Sequence, residues 1–246
     1  MFTVAERARV RDGLVELARE DPRITGAALT GSGASRREDE WSDIDLALCL
    51  ARDARADEVV ADWTRTLYER HGAVHHVDIT SGDTLFRAFL LASTLQVDVA
   101  FWAADEFGPT APTFRLLFGT ANEQPQSRPP DAAELVGTGW LYALHARSSL
   151  ERGRVWQAEY MIGGVRDHVL ALQCLRHGVP IEQGRGIDQV PADVTAPLAA
   201  TLVASLDDGE LRRAFRSAVD ALLAEAARAD PALATRLTEP LRELAG

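Results

Sequence analysis

The sequence predicts an α+β fold in which a mixed-sheet domain is followed by an all-α helical bundle domain. Up to about residue 122, short apolar runs of strand length alternate with amphipathic helical segments. From residue 131 onward the apolar residues recur at helical spacing, and no strand is predicted. The segment 120–131 combines three prolines with polar side chains, which is typical of a linker. We therefore expect one domain at residues 1–122 and a second, helical domain at residues 131–246.

The elements of the first domain follow from the spacing of its apolar side chains. Helical segments place apolar residues three and four apart with charges between them, whereas strands are short apolar runs bounded by turn residues. In chain order, the predicted segments are a helix at 4–19, a strand at 24–30, a helical stretch from about Ala34, a strand at 44–50, a helix at 55–71, and strands at 73–80, 85–91 and 95–102. Three residues join the last two strands, so we expect an antiparallel hairpin there.

The second domain is predicted to contain five helices. Asp131 is a suitable N-cap for the first helix, and Gly153 and Gly178 follow the first and second helices, as expected of residues that end helices. The predicted helices cover residues 131–152, 154–177, 195–205, 208–228 and 231–244.

The composition limits the classes of protein to which this chain can belong. Its 246 residues carry a net charge of −11, and its two cysteines are far apart in the sequence. The acidic balance argues against general binding to nucleic acid, because lysine and arginine are what neutralise phosphates. We expect a cytoplasmic protein, since two lone cysteines suit a reducing compartment and no segment resembles a membrane span or a signal peptide. The acidity fits a cationic small substrate, or it serves solubility alone.

A pair of carboxylates marks the strand at residues 44–50. Asp43 and Asp45 are two residues apart, so they lie on the same face of that strand. Adjacent like charges repel unless a cation lies between them, and carboxylate oxygens are the ligands that Mg²⁺ prefers. The pattern therefore indicates either a metal site or the solvent-facing side of an edge strand.

Two further features favour the metal site. The turn Gly31-Ser32-Gly33 follows a strand and precedes a helical stretch, a place where backbone N–H groups and a hydroxyl can bind phosphate oxygens. Asp98 lies in an otherwise apolar strand, where an unpaired carboxylate would cost several kcal/mol of desolvation. Together with Asp43 and Asp45, these residues predict a site for a metal-bound triphosphate.

Gly31-Ser32 is followed after ten residues by Asp43-Ile44-Asp45, and later by the lone Asp98. This arrangement resembles the signature of the DNA polymerase β-like nucleotidyltransferases. The chain is most similar in kind to the small bacterial antibiotic nucleotidyltransferases, which act on kanamycin, streptomycin or lincosamides. The resemblance covers residues 24–102 and is looser over residues 131–246. It implies a nucleotidyltransferase domain followed by a helical substrate-binding domain. It also implies a nucleoside triphosphate and two Mg²⁺, with transfer of a nucleoside monophosphate to an acceptor hydroxyl.

The resemblance assigns roles to the residues that match its motifs. Asp43 and Asp45 hold the metal ions, and Asp98 completes the metal site beside the acceptor hydroxyl. Gly31 and Ser32 bind the β- and γ-phosphates. We place two arginines, Arg36 and Arg37, on the following helix. There they either reach the same phosphates or form a solvated helix face.

The acceptor hydroxyl also needs a general base, because a neutral hydroxyl is a poor nucleophile near neutral pH. Asp98 is one candidate, and the resemblance implies the other, because in some of the antibiotic nucleotidyltransferases a carboxylate of the helical domain does this work. Glu159 is preferred in that domain over Asp167, because Glu159, Arg166 and Gln173 recur every seven residues and form a polar stripe on an otherwise apolar helix. Such a stripe faces either solvent or a lined cleft.

The leading expectation is an adenylyltransferase that moves AMP from ATP to a hydroxyl of an aminoglycoside or a lincosamide-like antibiotic. The alternatives are a nucleotidyltransferase that modifies a protein hydroxyl and a non-catalytic nucleotide-binding module. A nucleic-acid polymerase is disfavoured by the missing basic surface. We expect no nucleic-acid or membrane partner, and a homodimer by resemblance. The acceptor, the position modified and the preferred base of the triphosphate stay open.

Overall fold

A computed structural model of the chain describes residues 1–110, 113–124, 128 and 130–246. The described chain confirms the α+β fold class, with a mixed sheet first and a helical region after it. It divides into two compact units, Met1–Arg128 and Pro129–Gly246. Residues 125–127 and 129 of the predicted linker lie outside the described residues. The roles assigned to residues 1–122 and 131–246 stay predictions.

The described residues of the first unit form three helices and six strands. Its helices are α1 (Val4–Glu20), α2 (Gly31–Ser35) and α3 (Ala56–Arg70). Its strands are β1 (Ile24–Thr30), β2 (Ile44–Leu50), β3 (Ala73–Ser81), β4 (Thr84–Leu91), β5 (Gln96–Trp102) and β6 (Phe114–Phe118). The predicted hairpin is present, because β4 and β5 pair antiparallel.

The six strands form one mixed sheet in the order β3-β4-β5-β2-β1-β6. Its central pair, β2 and β5, is parallel, and every other pair is antiparallel. One face buries the apolar side chains that alternate along β2 and β5 against α1 and α3, with Leu14 and Trp63 among the fully buried residues. Because side chains alternate between faces, the carboxylates of β2 and β5 lie on the opposite face.

Three predictions for the first unit are wrong in detail. The helical stretch that was expected from about Ala34 begins at Gly31 and ends at Ser35, after little more than one turn. Consequently Arg36 and Arg37 do not lie on that helix. The strand β6 was not predicted at all, although its sequence FRLLF is a short apolar run; it pairs with β1 at an edge of the sheet.

The second unit is a helical bundle. Its principal helices are α4 (Ala132–Glu151), α5 (Val155–His177), α7 (Asp208–Ala229) and α8 (Pro231–Ala245). The N-cap prediction for Asp131 is confirmed: its side chain accepts from the Glu134 N–H at 2.8 Å, and Glu134 Oε2 accepts from the Asp131 N–H at 2.8 Å. The helix predicted at 195–205 is confirmed only in part, because that region holds the end of the short α6 (Ala192–Thr195) and a 3₁₀ helix (Ala196–Thr201) instead of one α-helix.

A shared apolar core holds the four long helices of the second unit together, and Ile162, Val165, Phe215 and Leu222 are among its fully buried side chains. None of the described helices has the length and apolar character needed to cross a bilayer.

Candidate functional site

Three carboxylates meet on the open face of the sheet. Asp43 directly precedes β2, Asp45 is its second residue, and Asp98 lies on β5. The parallel pairing sets Asp45 directly beside Asp98, and the period of two sets Asp43 on the same face as Asp45. One carboxylate oxygen of each lies within 4.8 Å of the others, and all three residues are half-buried. The structure thus brings together the three residues that the sequence singled out.

Asp98 is in an environment that disfavours its charge. Burial raises the pKa of the Asp98 carboxyl, and the nearby Asp43 adds to the rise. A hydrogen bond from Gln96 acts in the opposite direction: its amide nitrogen lies 3.0 Å from each oxygen of Asp98. Among the described arginines, none forms an ion pair with Asp43 or Asp98. Negative charge is therefore concentrated here without a cationic side chain to balance it at those two residues.

This donor set fits a divalent cation. Carboxylate oxygens are hard ligands, and groups within 4.8 Å of one another can bind a shared ion. A bound cation would also offset the repulsion and desolvation that raise the pKa of Asp98. Asp43, Asp45 and Asp98 are the residues that would hold it. Their assignment as metal ligands stays a prediction.

The turn predicted to bind phosphates lies against the carboxylates. Gly31 has a positive φ of 55°, and a Cβ atom at this position would overlap Asp45 Oδ2, so only glycine fits. The next residue, Ser32, has a buried hydroxyl oxygen with no hydrogen-bond partner in the described chain. An unpaired buried hydroxyl is costly, and a ligand oxygen beside it would remove the cost. The arrangement is suited to phosphate oxygens, and the role of Gly31 and Ser32 stays a prediction.

The two arginines that follow this turn, Arg36 and Arg37, lie in a loop and not on the predicted helix. Arg36 is the residue after α2 and adopts a left-handed conformation with φ of 55°. Arg37 follows it, and its N–H bonds to the Ser32 carbonyl at 3.1 Å. Both side chains are exposed on the loop at residues 36–43 instead of on a helix face. A contact of Arg36 or Arg37 with a phosphate stays a prediction.

A buried arginine that was not among the predicted site residues anchors this loop through hydrogen bonds. Arg7 of α1 is 3% exposed, and its guanidinium donates hydrogen bonds to the backbone carbonyls of Asp39 and Ser42, the latter at 3.0 Å. Ser42 immediately precedes Asp43. Glu38, in the same loop, faces Arg7 at 3.7 Å and bonds Arg11 at 2.8 Å. Arg7 thus holds the backbone from which Asp43 projects.

A second arginine fastens α2. Arg115 of β6 donates to the Gly33 carbonyl at 3.0 Å, and the strand that carries it was not predicted. This contact supports the helical turn of a glycine-rich segment whose helix propensity is poor.

A cavity of about 420 Å³ opens over the same face of the sheet. Asp45 and Asp98 lie in its wall together with the apolar side chains of β3, β4 and β5, including Ile79, Phe86 and Trp102. Its volume is in the range of small-molecule sites. Part of this wall could have been predicted from the sequence. Residues 96, 98, 100 and 102 of β5 alternate onto one face, so Gln96 and two wall residues share the face of Asp98.

Glu159, the candidate general base of the second unit, is half-buried on α5. The other members of its stripe bond to neighbouring backbone, and Gln173 also lines a cavity of about 320 Å³ in the second unit. Arg166 donates to the Thr201 carbonyl at 3.5 Å, and Gln173 is 4% exposed and donates to the Val194 carbonyl at 3.4 Å. Both side chains thus hold the segment at residues 192–201. Asp167, the less favoured candidate, is exposed. A catalytic role for Glu159 stays a prediction.

Comparison with known proteins gives similarity at a distance. The chain matches no family model, and no curated protein is a significant match. Among solved structures, an aminoglycoside 6-adenyltransferase from Bacillus subtilis is 12% identical with a TM-score of 0.42, over 97% of this chain and 98% of that one. The polymerase core of TRAMP, an RNA surveillance complex, is 12% identical with a TM-score of 0.32, over 88% of this chain. The match spans 55% of the TRAMP chain. These values identify no family.

Proposed function

We propose that this protein is a nucleotidyltransferase that moves a nucleoside monophosphate from a nucleoside triphosphate to a hydroxyl of a small molecule. The observation that carries the proposal is the carboxylate cluster of Asp43, Asp45 and Asp98, with the Gly31-Ser32 turn directly against it. A cation site beside a phosphate-binding turn is what transfer of a phosphoryl group requires. We propose ATP as the donor, and the acceptors to test are hydroxyl-bearing small molecules, with aminoglycosides and lincosamides among them because the sequence resemblance implies them.

The reaction is a single in-line displacement at the α-phosphorus. The acceptor hydroxyl oxygen forms a bond to that phosphorus while the bond from the phosphorus to the bridging oxygen of the β-phosphate breaks. Pyrophosphate leaves, and the proton of the hydroxyl passes to a carboxylate. Mg²⁺ bound at the site would neutralise charge on the attacking and leaving oxygens.

We assign each part of this reaction to particular residues of the chain. Asp43 and Asp45 hold the cations, and the Gly31 backbone and the Ser32 hydroxyl bind the departing phosphates. Asp98, which lies beside Asp45 on the neighbouring strand, orients the acceptor hydroxyl and accepts its proton in this proposal. Glu159 is the second candidate for the proton, and Glu159→Gln would then reduce kcat with little effect on the KM for ATP.

The test is pyrophosphate release with Mg²⁺ and each nucleoside triphosphate across a panel of hydroxyl-bearing acceptors. Asp43→Asn is expected to lower turnover about a thousandfold or more, equivalent to about 4 kcal/mol, because it removes one charge from the cation site. Its melting temperature should change little. Asp53→Asn, at an exposed position outside the cluster, is the matched control and should keep full turnover. If Asp43→Asn retains turnover, or label from the triphosphate enters only protein acceptors, the proposal is wrong.

A further inference from the structure

The cavity over the sheet has a chemical character that restricts the acceptor, if the proposed nucleotidyl transfer is right. Among its described lining residues, the charged ones are Asp45 and Asp98, which the proposed reaction already uses. No lysine, arginine, histidine or glutamate lines it in the described chain. The rest of the wall is mainly apolar. A polycation would find no further acid there, and an anion would find no base.

The apolar part of the wall lies where the acceptor must arrive. In-line displacement puts the attacking oxygen opposite the leaving pyrophosphate. The phosphate-binding turn follows β1, on one side of β2, and Asp98 lies on β5, on the other side. Beyond Asp98 from that turn, the wall is formed by Ala88 and Phe86 of β4 and by Ala100 and Trp102 of β5. The acceptor body therefore meets carbon surface and two aromatic rings.

An aromatic pair shapes this wall. Trp102 is largely buried, and its ring packs against Phe86 at a centroid distance of 6.1 Å, which fixes its orientation. The indole Nε1 is itself buried, so Trp102 offers the acceptor its ring and not its N–H group.

We propose that the acceptor is an uncharged molecule whose reacting hydroxyl is attached to an apolar or aromatic body that packs against this wall. The proposal excludes polycationic aminoglycosides as the preferred acceptors. The net charge of −11 is then a property of the surface and does not reflect recognition of a cationic substrate.

The first test compares two acceptor sets in the pyrophosphate-release assay, matched in their number of hydroxyls. One set holds neutral alcohols with aromatic or alicyclic bodies, and the other holds amino sugars with several ammonium groups. We expect turnover with the neutral set. Preferential turnover with the polycationic set would overturn the inference while leaving the proposed function intact. Absence of pyrophosphate release with every acceptor, and equal inactivity of wild type and Asp43→Asn, would instead count against the proposed function.

The second test uses binding, so it does not depend on turnover. Benzyl alcohol is the neutral probe and glucosamine the cationic one, both measured by saturation-transfer NMR with Mg²⁺ and α,β-methylene ATP present. Wild type is expected to bind benzyl alcohol in preference to glucosamine. Ala88→Leu, which fills part of the cavity, should abolish that signal. Equal or stronger binding of glucosamine would overturn the inference.

The third test concerns the aromatic ring of Trp102. Trp102→Leu keeps an apolar side chain and loses the ring, so we expect the KM of the best neutral acceptor to rise about fivefold to tenfold, with the KM for ATP unchanged. Trp41→Leu is the matched control, because the Trp41 side chain is 67% exposed. A rise in the KM for ATP alone would assign the cavity to the nucleobase and contradict the proposal.

Discussion

Two carboxylates, one in each unit, show how this chain treats buried negative charge. Glu225 of α7 is 4% exposed, and three hydrogen bonds from Arg176 and Arg228 neutralise it at 3.0–3.3 Å. Asp98 of β5 accepts from the neutral amide of Gln96, and no described arginine forms an ion pair with it. The chain thus supplies the counter-charge for Glu225, whereas at Asp98 a bound cation would have to supply it.

The difference follows from what each charge does. A buried charge left unpaired costs free energy, so a carboxylate with a structural role is found with its partners already in place. At Asp98 the cost is visible in the direction of its pKa, which burial and Asp43 raise. A clustered charge that is kept at such a cost indicates a site that is completed by a ligand.

The largest effect is expected from removing the compensated charge. Glu225→Ala should lower the free energy of unfolding by about 2–3 kcal/mol, because it removes a buried carboxylate together with its charged hydrogen bonds from the partly exposed Arg176 and Arg228. Denaturant unfolding measures this loss. The control is Glu239→Ala at an exposed position of α8, which should stay within about 0.5 kcal/mol of wild type. Equal losses of unfolding free energy in Glu225→Ala and Glu239→Ala would show that the ion pairs of Glu225 do not stabilise the fold.

A smaller effect is expected at the residue that supports the uncompensated cluster. Arg7→Lys keeps a charge for Glu38 and cannot reproduce the guanidinium contacts to the carbonyls of Asp39 and Ser42. We expect the Mg²⁺ concentration for half-maximal activity to rise about tenfold, because Asp43 is less well positioned. Arg11→Lys, which contacts Glu38 and not those carbonyls, is the control. Unchanged Mg²⁺ dependence in Arg7→Lys would limit Arg7 to a structural role.

The smallest effect is expected at Asp98 itself, and its sign is opposite to that at Glu225. Because the folded pKa of Asp98 is raised above the ordinary value, its contribution to stability falls as pH rises from near 4 through the folded pKa. Without divalent cations, Asp98→Asn should therefore melt at the same or a higher temperature than wild type. The difference should be larger near pH 7 than near pH 4. A lower melting temperature of the variant near pH 7 would contradict this.

The sequence was sufficient for most of the fold and for the positions of the cluster. The bounds of β1 and β2 agree with the predicted 24–30 and 44–50, because both strands are apolar runs between clear turn signals. The cluster could be predicted from the sequence because strand periodicity places Asp43 and Asp45 on one face. Asp98 could be predicted because it is an isolated charge in an apolar run. The chemical roles of these residues stay predictions.

The remaining features depend on contacts that are distant in sequence. β6 is five residues long and lies at a sheet edge, so its local pattern is weak until it pairs with β1. α2 begins at a glycine, and the Arg115 contact to Gly33 supports it from another strand. Arg7 could not be assigned from α1 alone, since its partners lie 32 and 35 residues further along the chain.

The central claim is that Asp43, Asp45 and Asp98 bind a divalent cation together with a nucleoside triphosphate. The most direct measurement is Mn²⁺ binding, followed by electron paramagnetic resonance with α,β-methylene ATP present, in wild type, Asp43→Asn and Asp53→Asn. We predict that wild type and Asp53→Asn bind Mn²⁺ alike, and that Asp43→Asn binds it at least about tenfold more weakly. Equal Mn²⁺ affinity in all three proteins would contradict the account.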